Sequence, residues 1–298
     1  MRAVRTHGQP LVDDPSRIAG VTMLGVDETA FLRARRLRRT SDVSGMVDTA
    51  TGRLLDVVED RTAMAVSDWL ADRDDDWRRQ VGVVALGSHR GYANAISQHL
   101  GHATMVVDRW HAIRLANALV DDVRRRVQQQ TTGHRGRKND PLYRIKRTLL
   151  QAADTLLDIQ WARLEAAWDF ADPDGEVFDA WAVKELARDI YAAPTLHDAR
   201  EAMADLYTWA HNTGIPECVR LAGTYRRWEA EILAFHTTGG ASNGPTEGVN
   251  LVIKKVRRGG HGFRNFDNYR LRLLLHCGVT WHDPPVARLR KRQPRSAA

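Results

Sequence analysis

Four carboxylates occupy sequence positions where an α/β protein can form a catalytic or metal-binding site. Asp27 and Glu28 follow one short apolar run, Asp108 follows another, and Glu247 falls in the first turn of a predicted late helix. Ligand sites of open α/β sheets form beyond the carboxyl ends of the strands. Acidic groups that converge there bind divalent cations such as Mg²⁺, and two such ions can drive phosphodiester transfer.

Each of these carboxylates also has a simpler interpretation. A single Asp at a strand end, such as Asp108, is most often a cap or turn residue. Glu247 in the first turn of a helix suits the helix dipole and the role of a capping glutamate. Spacing alone therefore leaves the catalytic and the structural interpretation open.

A run of cations follows Glu247 on the same predicted helix, at Lys254, Lys255, Arg257 and Arg258. Cations beside a metal-binding carboxylate fit a phosphate-rich substrate. The alternative is a solvated basic helix face.

The elements that must position these residues are readable from hydrophobic periodicity. Strands are predicted at 21–26, 43–47, 54–58, 81–86 and 103–107, and helices at 62–70 and 91–100. The turn-forming residues 48–52 join the second and third strands as a hairpin. This order predicts an α/β sheet with an antiparallel hairpin at one side.

The character of the sequence changes after His111. Residues 112–240 are rich in Ala, Leu, Arg, Glu and Trp with helical periodicity, including an apolar stripe over 149–157 that continues to Trp168. We interpret the segment as a large all-helical insertion whose Trp and Leu residues pack helices. Pro245 then marks the first helical position of the Glu247 helix, with Gly244 near its N-cap.

The composition limits which binding partners and which cellular compartment are expected. The chain has 298 residues, 43% of them hydrophobic, and a net charge of +7, which favours nucleic acid as a partner. Its two cysteines, Cys218 and Cys277, match neither a zinc spacing nor a disulfide framework. The absence of a signal-like or membrane-length apolar run predicts a soluble cytoplasmic protein without a membrane partner.

Three segments together carry a resemblance to a known family. Residues 242–250, from Ser242 to Asn250, and residues 262–272, from Gly262 to Arg272, resemble the C-terminal signature of the ISL-three family of transposases. The segment 24–28 resembles the family's first catalytic segment. Val107-Asp108-Arg109-Trp110-His111 resembles its Asp-aromatic-His segment.

The resemblance, over about residues 21–281, implies an RNase H-like mixed sheet interrupted by a helical insertion. Expected parts are a loose leader (1–20), the first part of the catalytic core (21–111), the insertion (112–240), the late core helix (241–281) and a disordered basic tail (282–298). It also implies DNA strand cleavage and transfer at transposon ends and target, by a homo-oligomer on DNA with Mg²⁺ or Mn²⁺, as two ions.

The family pattern assigns catalytic and metal-binding roles residue by residue. It places its first Asp at Asp27 and its Glu at Glu247, and Asn250, Lys254 and Arg264 then flank the DNA and the metals. With Lys255, Arg257 and Arg258 these residues form the expected DNA-binding set.

The sequence departs from the family pattern at the end of the fourth strand, where Gly87 stands in place of the second catalytic Asp. We expect either that Asp108, one strand over, substitutes as the third catalytic and metal-binding carboxylate, or that the chain is inactive. His111 is expected to be a structural or DNA-contacting residue.

Few residues precede the first strand, so the N-terminal zinc-binding and helix-turn-helix region of the family is expected to be missing, as in a truncated reading frame. Three hypotheses follow: an active transposase core, an inactive remnant that only binds DNA, and a protein that regulates an intact transposase by co-assembly.

Overall fold

The computed structural model describes residues 2–32, 40–260, 263 and 265–281. The strands are β1 (Met23–Leu32), β2 (Ser41–Asp48), β3 (Arg53–Glu59), β4 (Val83–Leu86) and β5 (Thr104–Val107). The helices are α1 (Arg2–Asp13), α2 (Ala63–Ala71), α3 (Asp75–Gln80), α4 (Arg90–His99), α5 (Arg109–Thr132), α6 (Pro141–Arg144), α7 (Asp158–Ala171), α8 (Glu176–Ala192), α9 (Leu196–Asn212), α10 (Pro216–Arg227), α11 (Glu229–Thr237), α12 (Gly244–Gly259) and α13 (Phe266–Cys277).

The strands form one five-stranded mixed sheet in the order β3-β2-β1-β4-β5. Strands β1, β2 and β3 pair antiparallel, whereas β1, β4 and β5 run parallel. The predicted α/β class and the predicted hairpin side are both confirmed. The sheet, followed by many helices, has the RNase H-like architecture that the resemblance implies.

Strand β1 continues past the point where we expected it to end. Its antiparallel pairing with β2 runs from Leu24 to Leu32, whereas its parallel pairing with β4 stops at Val26, opposite Leu86. Asp27 is therefore inside a strand and not at its end. It nevertheless lies at the carboxyl edge of the parallel half of the sheet, where such sites form.

Helices cover both faces of the sheet. Leu24 and Val26 of β1 belong to a core shared with α2, α4 and the helices after β5, whereas Phe31 packs with α12 and α13. Because strand side chains alternate between faces, Gly25 and Asp27 share the α12 face with Phe31. Burial of two apolar faces thus fixes which side of the sheet carries Asp27.

Residues 109–237 are helical in α5 and α7–α11, and two buried tyrosines of this segment bond to the end of β5 and to α5. The Tyr191 hydroxyl donates to the Val107 carbonyl, and the Tyr225 hydroxyl donates to the Ala112 carbonyl. None of the helices in the described part of the chain is long and apolar enough to cross a membrane.

One predicted helical stretch is not a helix. Residues 145–157 form turns and a short 3-10 helix, and α7 begins only at Asp158. The buried Lys184 ammonium donates to the carbonyls of Leu149 and Gln151, at 2.9 Å and 2.6 Å. Lys184 thus binds carbonyls that an α-helix would pair internally. This tertiary contact prevails over the helical periodicity of residues 149–157.

The chain before β1 also differs from the expected loose leader. Residues 2–13 form α1, which packs through Val12 on the core of α12 and α13, and a 3-10 helix follows at Pro15–Ile18. Local pattern missed α1 because its few apolar residues gain stability only against α13. The expected tail, 282–298, lies outside the described residues.

Candidate active site

Helix α12 lies along β1, and polar side chains at its two ends, Asn243 and Arg257, bond to the strand. The Asn243 side-chain amide donates to the Val26 carbonyl at 3.3 Å, and the Arg257 guanidinium donates to the Ala30 carbonyl. The close approach at the start of the helix requires a glycine, because a Cβ at Gly25 would lie 2.6 Å from Asn243 Oδ1 and would also meet Thr246. The two hydrogen bonds and the close approach at Gly25 together set the register of α12 along β1.

Asp27 lies under this helix, almost fully buried. Its Oδ2 accepts a hydrogen bond from Asn250 Nδ2 at 2.7 Å. Burial raises the pKa of Asp27 to about 6, against the lowering effect of His111, and the nearby charges of Glu28 and Glu247 add to the rise. A carboxylate held in this way gains stabilisation from any cation placed beside it.

Three side chains converge at this point: Asp27, His111 and Glu247. One ligand atom from each lies within 4.8 Å of the others. His111 Nε2 is 3.7 Å from Asp27 Oδ1 and 3.8 Å from Glu247 Oε1. Divalent metal ions bind carboxylate oxygens and imidazole nitrogens as ligands, so the chemistry of these three side chains fits a metal ion.

The sequence prediction for Glu247 is close to its observed position. It lies in the first turn of α12, and its amide donates to the Asn243 carbonyl at 3.0 Å. The helix begins one residue earlier than expected, at Gly244, with Asn243 as the N-cap. The side chain of Glu247 is 30% exposed, so it forms the solvent side of the cluster.

Asp108 does not join the cluster, contrary to our expectation of a third metal-binding carboxylate. Its Oδ1 accepts from the Asn243 amide at 2.8 Å, and its Oδ2 accepts from the Trp110 amide at 2.9 Å. Oδ2 also lies 3.4 Å from His111 Nδ1. Both oxygens are engaged, because Asp108 caps α5 and also holds the start of α12.

Asp108 therefore acts on the site through its neighbours. A carboxylate can only accept, so His111 Nδ1 carries the proton toward Asp108 and Nε2 faces the cluster. Burial works to raise the pKa of Asp108, but the hydrogen bonds from His111 and Asn243 outweigh it and lower that pKa. Burial works to lower the pKa of His111, and the hydrogen bond to Asp108 with the charge of Asp27 raises it.

Gly87 is buried against the ring of His111. A Cβ at position 87 would lie 2.9 Å from His111 Cδ2 and 3.1 Å from Nε2. The imidazole thus fills the space that a side chain at position 87 would enter. With glycine at the end of β4, the ring of His111 occupies this space and lies beside Asp27 and Glu247.

The expected DNA-binding residues fall into three groups. Lys254, Lys255 and Arg258 are exposed on α12. Arg257 is half-buried with its guanidinium on β1, and Asn250 is buried with its amide on Asp27, so both serve the strand–helix contact instead of an open surface. Arg264 lies outside the described residues.

Sequence reasoning missed the cluster position of His111 and the need for Gly25. The one signal available for His111 was the pairing of a missing side chain at position 87 with an Asp-Arg-Trp-His segment that follows the neighbouring strand. The signal for Gly25 was a glycine two residues before Asp27 within a strand.

A match to a known protein family covers the part of the chain that carries the cluster. A family model described as "Transposase", that of the ISL-three DDE transposases, matches residues 24–273. No curated protein matches the chain. The matched range contains β1 from its second residue, β4, β5, α5 and α12, and with them Asp27, His111 and Glu247. The chain belongs to the ISL-three family of DDE transposases.

Proposed function

We propose that this chain catalyses metal-dependent cleavage of DNA strands and their transfer to new sites, as an insertion-sequence transposase. The observation that carries the proposal is the convergence of Asp27 and Glu247, from β1 and from α12, at the carboxyl edge of the parallel strands. Family membership supplies the class of substrate, which is DNA.

The proposed reaction has two balanced steps. In cleavage, a water oxygen attacks a phosphorus, the bond from phosphorus to the 3′ oxygen breaks, and the 3′ oxygen leaves with a proton as a hydroxyl. In transfer, that 3′-hydroxyl attacks a phosphorus of the target, loses its proton, and displaces a target 3′ oxygen, which takes one up. Both steps are in-line displacements at phosphorus.

Asp27 and Glu247 would hold the divalent ion, with His111 beside them. The ion, once bound, would polarise the phosphate and favour ionisation of the attacking hydroxyl. Asn250 keeps the Asp27 carboxylate in place through a 2.7 Å hydrogen bond. Asp108 fixes the start of α12 and the tautomer of His111. The expectation of two ions stays a prediction.

The exposed cations of α12 support a DNA path beside the cluster. Lys254, Lys255 and Arg258 follow Glu247 on the same helix and face solvent. Cations on the helix that carries Glu247 would neutralise neighbouring phosphates of the strand and release their counterions. Assembly as a homo-oligomer on transposon ends, in the cytoplasm, is part of the same proposal.

A second candidate is a DNA-binding protein without chemistry, acting alone or by co-assembly with an intact transposase. The observation that favours it is Gly87, which supplies no carboxylate at the end of β4. The two candidates differ in strand cleavage but agree in DNA binding.

Nicking of supercoiled DNA with Mg²⁺, Mn²⁺ or Co²⁺ separates the two candidates. The wild-type chain should nick, and Glu247→Ala should abolish nicking while circular dichroism shows an unchanged fold. Exposed Glu201 offers a matched control, because Glu201→Ala removes the same group from α9, outside the cluster. A silent wild type with retained DNA binding would favour the second candidate, and nicking by Glu247→Ala would refute our site.

A further inference from the structure

The imidazole of His111 has one nitrogen engaged and one free of hydrogen bonds. Nδ1 faces Asp108, whereas Nε2 makes no hydrogen bond to any residue that the structure describes. The residue is only 6% exposed. Nε2 points toward two carboxylate oxygens, Asp27 Oδ1 at 3.7 Å and Glu247 Oε1 at 3.8 Å.

These separations suit ligands of a single ion. Ligand atoms about 2.0–2.2 Å from a metal stand roughly 3–3.6 Å apart at tetrahedral or octahedral angles. The observed 3.7 Å and 3.8 Å need a closure of a few tenths of an ångström. Glu247 is in the first turn of its helix and partly exposed, so its side chain has the freedom to make that movement.

The contact between His111 and Asp108 is the kind that supports a metal ligand. Metal-bound histidines usually donate their second ring nitrogen to a carboxylate or carbonyl, which fixes the tautomer and makes the free nitrogen more basic. Asp108 is held for this role by the amides of Trp110 and Asn243. The Asp108–His111 pair therefore presents Nε2 as a prepared donor.

The space for this donor exists because position 87 is glycine. A Cβ there would lie 2.9 Å from His111 Cδ2, closer than carbon atoms approach without displacement. A side chain at position 87 would therefore push the imidazole from its observed position by at least a few tenths of an ångström. We propose that His111 replaces the missing carboxylate of position 87 as third protein ligand, so that Asp27, His111 and Glu247 bind one divalent transition-metal ion.

The exchange of a carboxylate for an imidazole changes which ion is favoured. Mg²⁺ prefers an all-oxygen shell, whereas imidazole suits Co²⁺, Zn²⁺ and other first-row transition ions, with affinity rising from Mn²⁺ to Co²⁺. The site therefore prefers Co²⁺ over Mn²⁺ and both over Mg²⁺. This inference rests on the proposed function only in using the same cluster, and it concerns the protein without DNA.

Binding of Co²⁺ and Mn²⁺ to the metal-free wild-type chain tests the donor set directly. Pulsed electron paramagnetic resonance of bound Mn²⁺ should show coupling to a ligand nitrogen, and Co²⁺ should bind at least about tenfold more tightly than Mg²⁺. His111→Ala should remove the coupling and weaken Co²⁺ binding about tenfold or more. The control is His102→Ala, because His102 is exposed.

A double variant tests whether a side chain at position 87 displaces the ring of His111. Gly87→Asp alone should lose Co²⁺ affinity, because the new side chain displaces the imidazole. Gly87→Asp combined with His111→Ala should bind Mg²⁺ and lower the ratio of Co²⁺ to Mg²⁺ affinity at least about tenfold. Additive effects of the two changes would overturn the proposed exchange.

Wild-type Mn²⁺ bound without nitrogen coupling would also overturn the inference, and this result needs no variant to fold. Because the measurements use no DNA, failure to nick DNA would leave a nitrogen-bound ion standing. An ion bound by oxygen alone together with nicking would leave the proposed function standing and refute only the role of His111.

Discussion

The amide of Asn250 donates to Asp27 across 223 residues of sequence, with Nδ2 at 2.7 Å from Oδ2. Both residues are buried. The contact joins the strand that carries one proposed metal ligand to the helix that carries another. It makes α12 a part of the site's geometry as well as the carrier of Glu247.

Asn250→Leu keeps the approximate volume and removes the donor. We expect a loss of about 1–3 kcal/mol in the free energy of unfolding, because the buried Asp27 oxygen loses its partner. Affinity for Mn²⁺ should fall as well, since the carboxylate is no longer held. Denaturant unfolding and Mn²⁺ titration measure the two effects, and Asn212→Leu on the exposed end of α9 is the control. Unchanged Mn²⁺ affinity would contradict the positioning role.

Asp108→Asn tests whether Asp108 acts through His111. The neutral amide still caps α5, but it no longer provides two accepting oxygens for Asn243 and His111. We expect metal affinity to fall about 10–100-fold, as for other outer-shell partners of a metal-bound histidine. A far larger loss, with the nitrogen coupling of His111 intact, would instead make Asp108 a direct ligand.

The matched control for that variant is Asp172→Asn. Asp172 is also buried and accepts from backbone amides, those of Val177 and Phe178, but it lies in the helical part of the chain away from the cluster. Its substitution should cost stability and leave metal affinity unchanged.

Gly25→Ala should separate β1 from the start of α12. The added methyl would collide with Thr246 and lie 2.6 Å from Asn243 Oδ1. Overpacking of this kind costs about 1–3 kcal/mol, and the displaced helix should carry Glu247 away from Asp27. Thermal unfolding and Mn²⁺ titration report both effects. Gly82→Ala is the control, because a Cβ there meets nothing within 4 Å, and equal behaviour of the two variants would refute the close approach.

Alanine at Lys254, Lys255 and Arg258 together should weaken DNA binding at low salt. For each DNA phosphate that these cations no longer neutralise, the slope of log affinity against log salt should flatten by about 0.9. Fluorescence anisotropy with a labelled duplex over a range of NaCl concentrations gives the slope. The fold should be unchanged, since all three side chains are exposed.

A control with the same change of charge is alanine at Arg163, Arg200 and Arg220, which are exposed on α7, α9 and α10. Its slope should match that of the wild type. An unchanged slope for the α12 variant would move the DNA path elsewhere, with the exposed basic residues of the loop 135–138 as the next candidates.

Lys184 predicts a pH dependence of stability away from the site. Burial lowers its pKa, despite its pair with Glu185. Between that lowered pKa and the ordinary 10.5, the unfolded chain binds more protons than the folded one, so the free energy of unfolding contributed by Lys184 rises with pH. The difference between wild type and Lys184→Met should therefore shift in favour of wild type from neutral pH to pH about 10. Exposed Lys138→Met should show no such shift.

The sequence alone determined the elements whose signal is local. Alternating and continuous apolar runs predicted all five strands and the hairpin side of the sheet, because burial on a sheet face leaves its period in the sequence. The motif around Glu247 and the segment around Asp27 pointed to the two proposed carboxylates before any fold was known. Gly87 showed that an expected third carboxylate was missing.

Only the tertiary structure decided what stands in its place. Asp108 and His111 are three residues apart, and no local pattern tells which of them faces Asp27. The amides at the starts of α5 and α12 occupy Asp108, and the space above Gly87 admits the ring of His111. Partners such as Lys184 for residues 149 and 151, or Asn250 for Asp27, come from distant sequence. Their hydrogen bonds therefore leave no periodic trace in the chain.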